Sequence, residues 1–419
     1  MSSSTVHGPP TPVAPESRAG RRSRRALATL TVSVLAIGVG GAVAGSGADR
    51  ALEATTSVRY MDTREYDSRE KLSPGGKIGV IVASVPWLPE TDEPIPADAE
   101  AIFLNLTAVD AEGPGFVSVY PASAEGFEVP FEPDTSNLNI DAAGQTIANA
   151  AIVPLGLFDF FGIGDGSPVP SVIVHTSTEA HIVADVLGYV PAGSDYVSIP
   201  LTRALDTRAS GGAAAMEPVD VDVAGFGPAE AAFAIVNLTL VDSTSGGFVS
   251  AWPAGASQPE TSNLNVDGPG QTRAGLAIVP IGAGGAISVM SSTAGDLLVD
   301  VFGYFGPASG FTGLEPFDRV YDSRPGRVDG TTNVVVTDSD DVPDTAEYVL
   351  VNVTAVEAAA PGFITVWPGG GTQPEASNLN YAAGGTVANT VLVPLGDDGS
   401  IEVYTDAEIA LLVDVIGYL

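Results

Sequence analysis

The chain of 419 residues has no cysteine, so no disulfide framework and no thiolate metal site is possible. At this length none is needed, because modules of about 100 residues bury an adequate core. Positive charge is scarce, with 17 Lys and Arg against 51 Asp and Glu. Beyond position 45 the balance is 12 basic to 50 acidic residues. Such a surface repels nucleic acid and anionic lipid, so neither is an expected partner. It suits cations, or solubility in a salty or extracellular setting. Histidine is nearly absent. Beyond position 45 only His175 and His181 remain, and their spacing matches no metalloprotease helix. There is no Gly-x-Ser-x-Gly elbow, and neither lysine sits in a phosphate loop. Beyond the N-terminal segment there is no sustained helical period and no apolar run long enough to span a bilayer.

What is present begins with an export signal. Residues 21–25 read RRSRR, and an apolar stretch follows over 26–44. Ala42-Val43-Ala44 and Ser46-Gly47-Ala48 both fit a small-x-small cleavage site. Residues 23–27 also resemble a twin-arginine signal. The alternative is an uncleaved anchor, since the apolar stretch nearly reaches the roughly 20 residues that span a bilayer. On either reading, residues 49 onward face the outside, and the expected location is extracellular or at the cell surface.

The rest is one pattern written three times. Each unit opens with an arginine motif: RYMDTR at 59–64, RALDTR at 203–208 and RVYDSR at 319–324. LNLTAVD (104–110), VNLTLVD (236–242) and VNVTAVE (351–357) follow. GFVSVYP (115–121), GFVSAWP (247–253) and GFITVWP (362–368) lead to SNLN at 136, 262 and 377. ADVLGYV (184–190), VDVFGYF (299–305) and VDVIGYL (413–419) close the units. Short Pro/Gly/Ser linkers divide the chain into an export segment 1–48 and modules 49–191, 192–307 and 308–419. The first module is longer, with extra sequence around 84–98, 122–133 and 157–170. Val, Ile and Thr abound, with breakers every 8–12 residues, which predicts all-β modules of the sandwich type, jelly-roll or immunoglobulin-like. The pattern leaves open whether they form a string or a pseudo-threefold cluster.

Six of the 12 basic residues beyond position 45 belong to the arginine motifs, so these arginines need a defined partner. The closing strands supply one. Asp185, Asp300 and Asp414 each sit in an apolar run that reads as a central, two-sided buried strand. A carboxylate there must be paired, and a guanidinium gives it a planar two-point match. The expectation is that Asp300 pairs with Arg203 or Arg208, with Asp206 orienting the other arginine. Arg59, Asp62, Arg64 and Asp185 would do the same in the first unit, and Arg319, Asp322, Arg324 and Asp414 in the third.

Other features admit two readings each. Asn105, Asn237 and Asn352 head Asn-x-Thr glycan acceptors, or are outward polar residues of alternating strands. Tyr120, Trp252 and Trp367 either cap the core or stack on sugar rings, with Asn139, Asn265 and Asn380 of the SNLN stretches presenting amides. Acidic clusters at 338–341 and 397–398 are solvated loops or calcium ligands. No metal or other cofactor is expected beyond that possible calcium.

These blocks, in this order, resemble a repeat module of secreted proteins from high-GC Gram-positive bacteria, over nearly all of 57–419. The resemblance implies an exported, surface-associated module and brings no known activity. Tyr120 replaces the pattern's Trp in the first unit, and Gly275 stands where the others carry Asn149 and Asn389. The resulting expectation is a non-enzymatic surface or secreted protein that binds extracellular polysaccharide or other surface components, its repeats supplying avidity. A purely structural surface protein without a ligand is the alternative, and a glycan-active hydrolase is the third.

Overall fold

The computed structural model describes residues 52–65, 70–82, 95–123, 136–158 and 168–419, apart from the side chains of residues 56, 315 and 316. Residues 1–48, read above as an export signal, and most of the first module's extra sequence lie outside these residues.

The first module contains β1 (Glu53–Asp62), β2 (Lys77–Ile81), β3 (Ala101–Val109), β4 (Gly115–Pro121), β5 (Leu138–Ile140), β6 (Ile147–Pro154), β7 (Gly156–Phe158), β8 (Val169–Thr176) and β9 (His181–Val190). The second contains β10 (Tyr196–Asp206), β11 (Val219–Asp222), β12 (Phe233–Val241), β13 (Gly247–Pro253), β14 (Leu264–Val266), β15 (Arg273–Pro280), β16 (Ala286–Ser291) and β17 (Asp296–Phe305). The third contains β18 (Thr312–Asp322), β19 (Val328–Val335), β20 (Tyr348–Val356), β21 (Gly362–Pro368), β22 (Leu379–Tyr381), β23 (Val387–Pro394) and β24 (Ser400–Tyr418).

In the second module one sheet runs β10-β17-β12-β15 and the other β11-β16-β13-β14. Numbered within the module, the orders are one-eight-three-six and two-seven-four-five, which is the jelly roll. The first module repeats it as β1-β9-β3-β6 and β2-β8-β4-β5, with β7 added beside β8. The third repeats it with β24 running on as both of the last two strands. The pairings are antiparallel throughout. Rolling the chain this way lays each module's first strand against its last. That contact is close. A Cβ on Gly188 would lie 2.3 Å from the Glu53 carbonyl oxygen, and one on Gly417 2.4 Å from that of Thr312. This is a physical reason for the glycine in the first and third closing motifs; at Gly303 a Cβ would instead crowd the Tyr196 ring at 3.0 Å.

The cores follow from alternation. In β12, Ala234, Val236, Leu238 and Leu240 fill the second module's sandwich. The opposite face of the same strand is not wet, because Ile235, Asn237 and Thr239 are buried too. Ile235 meets Phe103 of the first module and Leu350 of the third in one apolar cluster, which also takes Ile152, Ile278 and Leu392. The edge strands β6, β15 and β23 all touch one another. The modules therefore close into a pseudo-threefold cluster rather than a string.

Candidate functional site

The opening arginines meet the closing aspartates in every module. Arg59 Nε donates to Asp185 Oδ1 at 2.9 Å and Nη2 to Oδ2 at 3.4 Å. Arg203 holds Asp300 at 2.8 and 3.0 Å, and Arg319 holds Asp414 at 2.7 and 3.2 Å. Each pair is directly cross-strand. The arginine engaged is thus the first of each motif. The second is gripped by the motif's own aspartate. Arg208 gives its backbone N–H, Nε and Nη2 to Asp206 at 3.1, 2.9 and 2.5 Å. Asp62 binds Arg64, and Asp322 binds Arg324, in the same way. A longer contact of 3.5 Å joins Arg203 to Asp206, so four charges form a neutral chain.

The residue between Asp and Arg also has work to do, which the sequence reading missed. Thr207 donates its N–H to the Leu297 carbonyl at 3.1 Å, and its Oγ1 accepts the Leu297 N–H at 2.7 Å. Thr63 grips Ile182 and Ser323 grips Leu411 in the same way. The recurrence of a hydroxyl at that position was the available signal. The motif as a whole fastens first strand to last.

Burial and charge oppose each other here. Burial pushes Asp185 up to about 6 against the pull of Arg59. Asp300 and Asp414 are raised for the same reason. Hydrogen bonds from Arg208 and Arg324 hold Asp206 and Asp322 down at about 2. Burial pushes Asp62 up, but the Arg64 hydrogen bonds outweigh it and the net displacement is downward.

The Asn-x-Thr asparagines build the interfaces between modules. Asn105 Nδ2 donates to the Ser377 carbonyl at 2.6 Å, Asn237 to that of Ser136 at 2.8 Å, and Asn352 to that of Ser262 at 2.5 Å. First module reaches third, second reaches first, and third reaches second, which closes a ring. All three side chains are buried, and buried amides are not glycan acceptors in the folded chain. They do face out of their own sandwich, as alternation requires, but onto a neighbouring module instead of water. Nearer the axis, Asn389 Nδ2 donates to Asn105 Oδ1 at 2.9 Å, and its Oδ1 accepts the Ala150 N–H at 3.1 Å. Thr390 Oγ1 donates to the Leu276 carbonyl at 3.0 Å. Arg273 pairs with Asp141 across the first two modules.

The aromatic candidates are not an open platform. Tyr120, Trp252 and Trp367 are 6, 6 and 5% exposed. Asn139, Asn265 and Asn380 are half-buried, and each Oδ1 accepts its turn's serine hydroxyl, Ser136, Ser262 or Ser377. Trp252 borders open space: it lines a cleft of about 520 Å³ with Gln258, Glu260, Thr261, Phe317 and Arg319, between the second and third modules. The histidines do not converge. His175 packs on Phe116, while His181 Nδ1 lies 3.1 Å from Thr63 Oγ1, and burial lowers its pKa. Among the described residues no three His, Asp or Glu side chains are grouped to hold a metal. No helix among them is long and apolar enough to cross a membrane.

No protein-family model matches the chain. No curated protein matches it either. Among solved structures, the triple jelly-roll turret structure of an archaeal virus is 9% identical, with 88% of this chain and 90% of that chain covered and a TM-score of 0.21. The atomic structure of Sulfolobus turreted icosahedral virus is 9% identical, covering 88% and 91%, with a TM-score of 0.18. Likeness at such scores carries no argument. The jelly-roll assignment rests on strand order.

Proposed function

We propose that the chain is an exported, non-enzymatic surface or secreted protein whose three modules act as one rigid platform. The supporting observation is the closed ring of Asn105, Asn237 and Asn352 onto the serine carbonyls of the neighbouring modules. Binding through independent repeats needs three sites free to engage separately. Here the repeated strands face the axis, and the repeated rings are buried. Repetition is used for assembly, which favours a structural or accessory role over an adhesive array. Export rests on the RRSRR segment and the apolar stretch after it.

Protease treatment of intact cells, with immunoblotting of cells and medium, tests the location. The chain is expected in the medium or in a protease-accessible surface pool. A protected cytoplasmic pool would refute the reading. Polysaccharide binding survives as a second reading on one observation, the cleft beside Trp252.

A further inference from the structure

Beside the cleft, the third module departs from the other two at one point. In every module the first strand bulges where it crosses the last. Between paired positions the bulge spans Ala54 to Val58 in β1 and Ser198 to Thr202 in β10. In β18 it spans Gly313 to Asp318, one residue more. The wider bulge brings Leu314 and Phe317 to face the loop that follows Trp252. Counted back from the paired arginine, the residues at the position of Phe317 are Ser57 and Leu201. An aromatic wall is therefore specific to this junction.

Two polar groups at the cleft lack a partner. Trp367 satisfies its indole N–H within its own loop, donating to the Gly371 carbonyl at 3.2 Å. The Trp252 N–H has no partner among the described residues, and it is not sealed from solvent. Thr261 is 5% exposed, and its Oγ1 is buried without a hydrogen bond. A buried hydroxyl left unpaired is destabilising. The fold does not require that hydroxyl. At the same position in the third module stands Ala376, whose carbonyl accepts from Thr365 just as the Thr261 carbonyl accepts from Ser250.

We infer that this cleft binds a short segment of neutral saccharide, its apolar face on Phe317 and the accessible edge of Trp252 and its hydroxyls on Gln258, Glu260 and the Trp252 indole N–H. The size falls within the range of about 300–1,000 Å³ typical of small-molecule pockets. Aromatic walls with a few convergent amide, carboxylate and indole N–H groups match a ligand with apolar faces and hydroxyl edges. Charge excludes an anionic polymer. The one cation lining the cleft, Arg319, is tied to Asp414, Glu260 lines the same space, and the protein as a whole is strongly negative. The inference rests on the second, saccharide-binding reading of the cleft and does not depend on the platform reading, which the protease test addresses separately.

The sister modules supply substitutions that the fold already accepts: Trp252→Tyr from Tyr120, Thr261→Ala from Ala376 and Phe317→Leu from Leu201. The full chain is titrated with linear gluco-, malto- and chito-oligosaccharides, read by tryptophan fluorescence and calorimetry. Polygalacturonate serves as the anionic control and an amphipathic peptide as the non-sugar control. Saturable, salt-insensitive binding of at least one neutral oligosaccharide is expected. Trp252→Tyr combined with Phe317→Leu should weaken it about tenfold or more, as lost contact with both rings implies. Thr261→Ala should weaken it less, and Trp367→Tyr should leave it unchanged. The inference is overturned if no neutral oligosaccharide binds, if binding ignores the cleft substitutions, or if only the polyanion or the peptide binds there.

Discussion

Breaking the Arg203–Asp300 pair should cost different amounts from its two ends. Asp300 is sealed, with its side chain 2% exposed, whereas the Arg203 side chain is 26% exposed. Replacing Arg203 with Ala strands a carboxylate among apolar neighbours, a loss of about 3–5 kcal/mol for a buried pair. Replacing Asp300 with Ala strands a guanidinium that can reach water and also has Asp206 at 3.5 Å. That loss should be smaller, about 1.5–3 kcal/mol. The two variants should also differ with pH. Burial already raises the Asp300 pKa, and removing Arg203 removes the opposing pull. A carboxyl with a raised folded pKa favours the folded state below its unfolded value of 3.8, and that contribution is lost as pH rises. Arg203→Ala should therefore recover part of its deficit as pH falls toward 3.8, and Asp300→Ala should not recover through this group. Replacing both with Met and Leu should be nearly neutral. The assay is urea unfolding of each variant at several pH values, with linear extrapolation. If Asp300→Ala is as costly as Arg203→Ala, or if neither changes the midpoint, the reasoning fails.

Further expectations concern acid, the ring of asparagines and glycans. Asp206 and Asp322 sit at about 2, below the ordinary 3.8, so their stabilisation is complete above about pH 4 and lost as pH falls through 2. Asp206→Asn with Asp322→Asn should flatten that acid limb in a thermal melt series. Asp185, at about 6, acts in the opposite sense: its contribution is lost as pH rises from 4 through 6, and Asp185→Asn should remove that slope. Asn352→Leu removes the donor to the Ser262 carbonyl and leaves that acceptor without this bond. It should cost about 1–3 kcal/mol in urea unfolding, more than an exposed Asn→Leu control. Expressed in a glycosylating host, the folded protein should carry no glycan at Asn105, Asn237 or Asn352, which intact-mass spectrometry reads directly.

Much of this was legible in the sequence because a charge in an apolar strand forces an inference. Asp300 between Val299 and Val301 had to be paired, and scarce arginines recurring in register named the partner. Which arginine it was depended on strand register. Arg203 lies opposite Asp300 within β10, while Arg208 lies beyond that strand's end. The sandwich class was visible in alternation, but the jelly roll was not, since strand order is a property of the whole wrap. The axis was hidden for a sharper reason. An alternating strand looks the same whether its second face meets water or another module. The clue lay beside the asparagines: Phe103, Ile235 and Leu350 share their face, and three large apolar residues there are wasted on solvent. The cleft could not be read at all. It is lined by residues of the longer β18 bulge and of the loop after Trp252, which come together only when two modules meet.

The central claim is that three repeats form one body. A module cut from the ring would expose residues such as Ile235, Leu276 and Ile278 at roughly 1.5–3 kcal/mol each, comparable in sum to the 5–15 kcal/mol that holds a domain folded. Scanning calorimetry of the full chain is the most direct test. One transition, with a calorimetric to van't Hoff enthalpy ratio of about one, is expected. A ratio near three, or modules that melt separately and fold alone as the segments 192–307 and 308–419, would contradict the account.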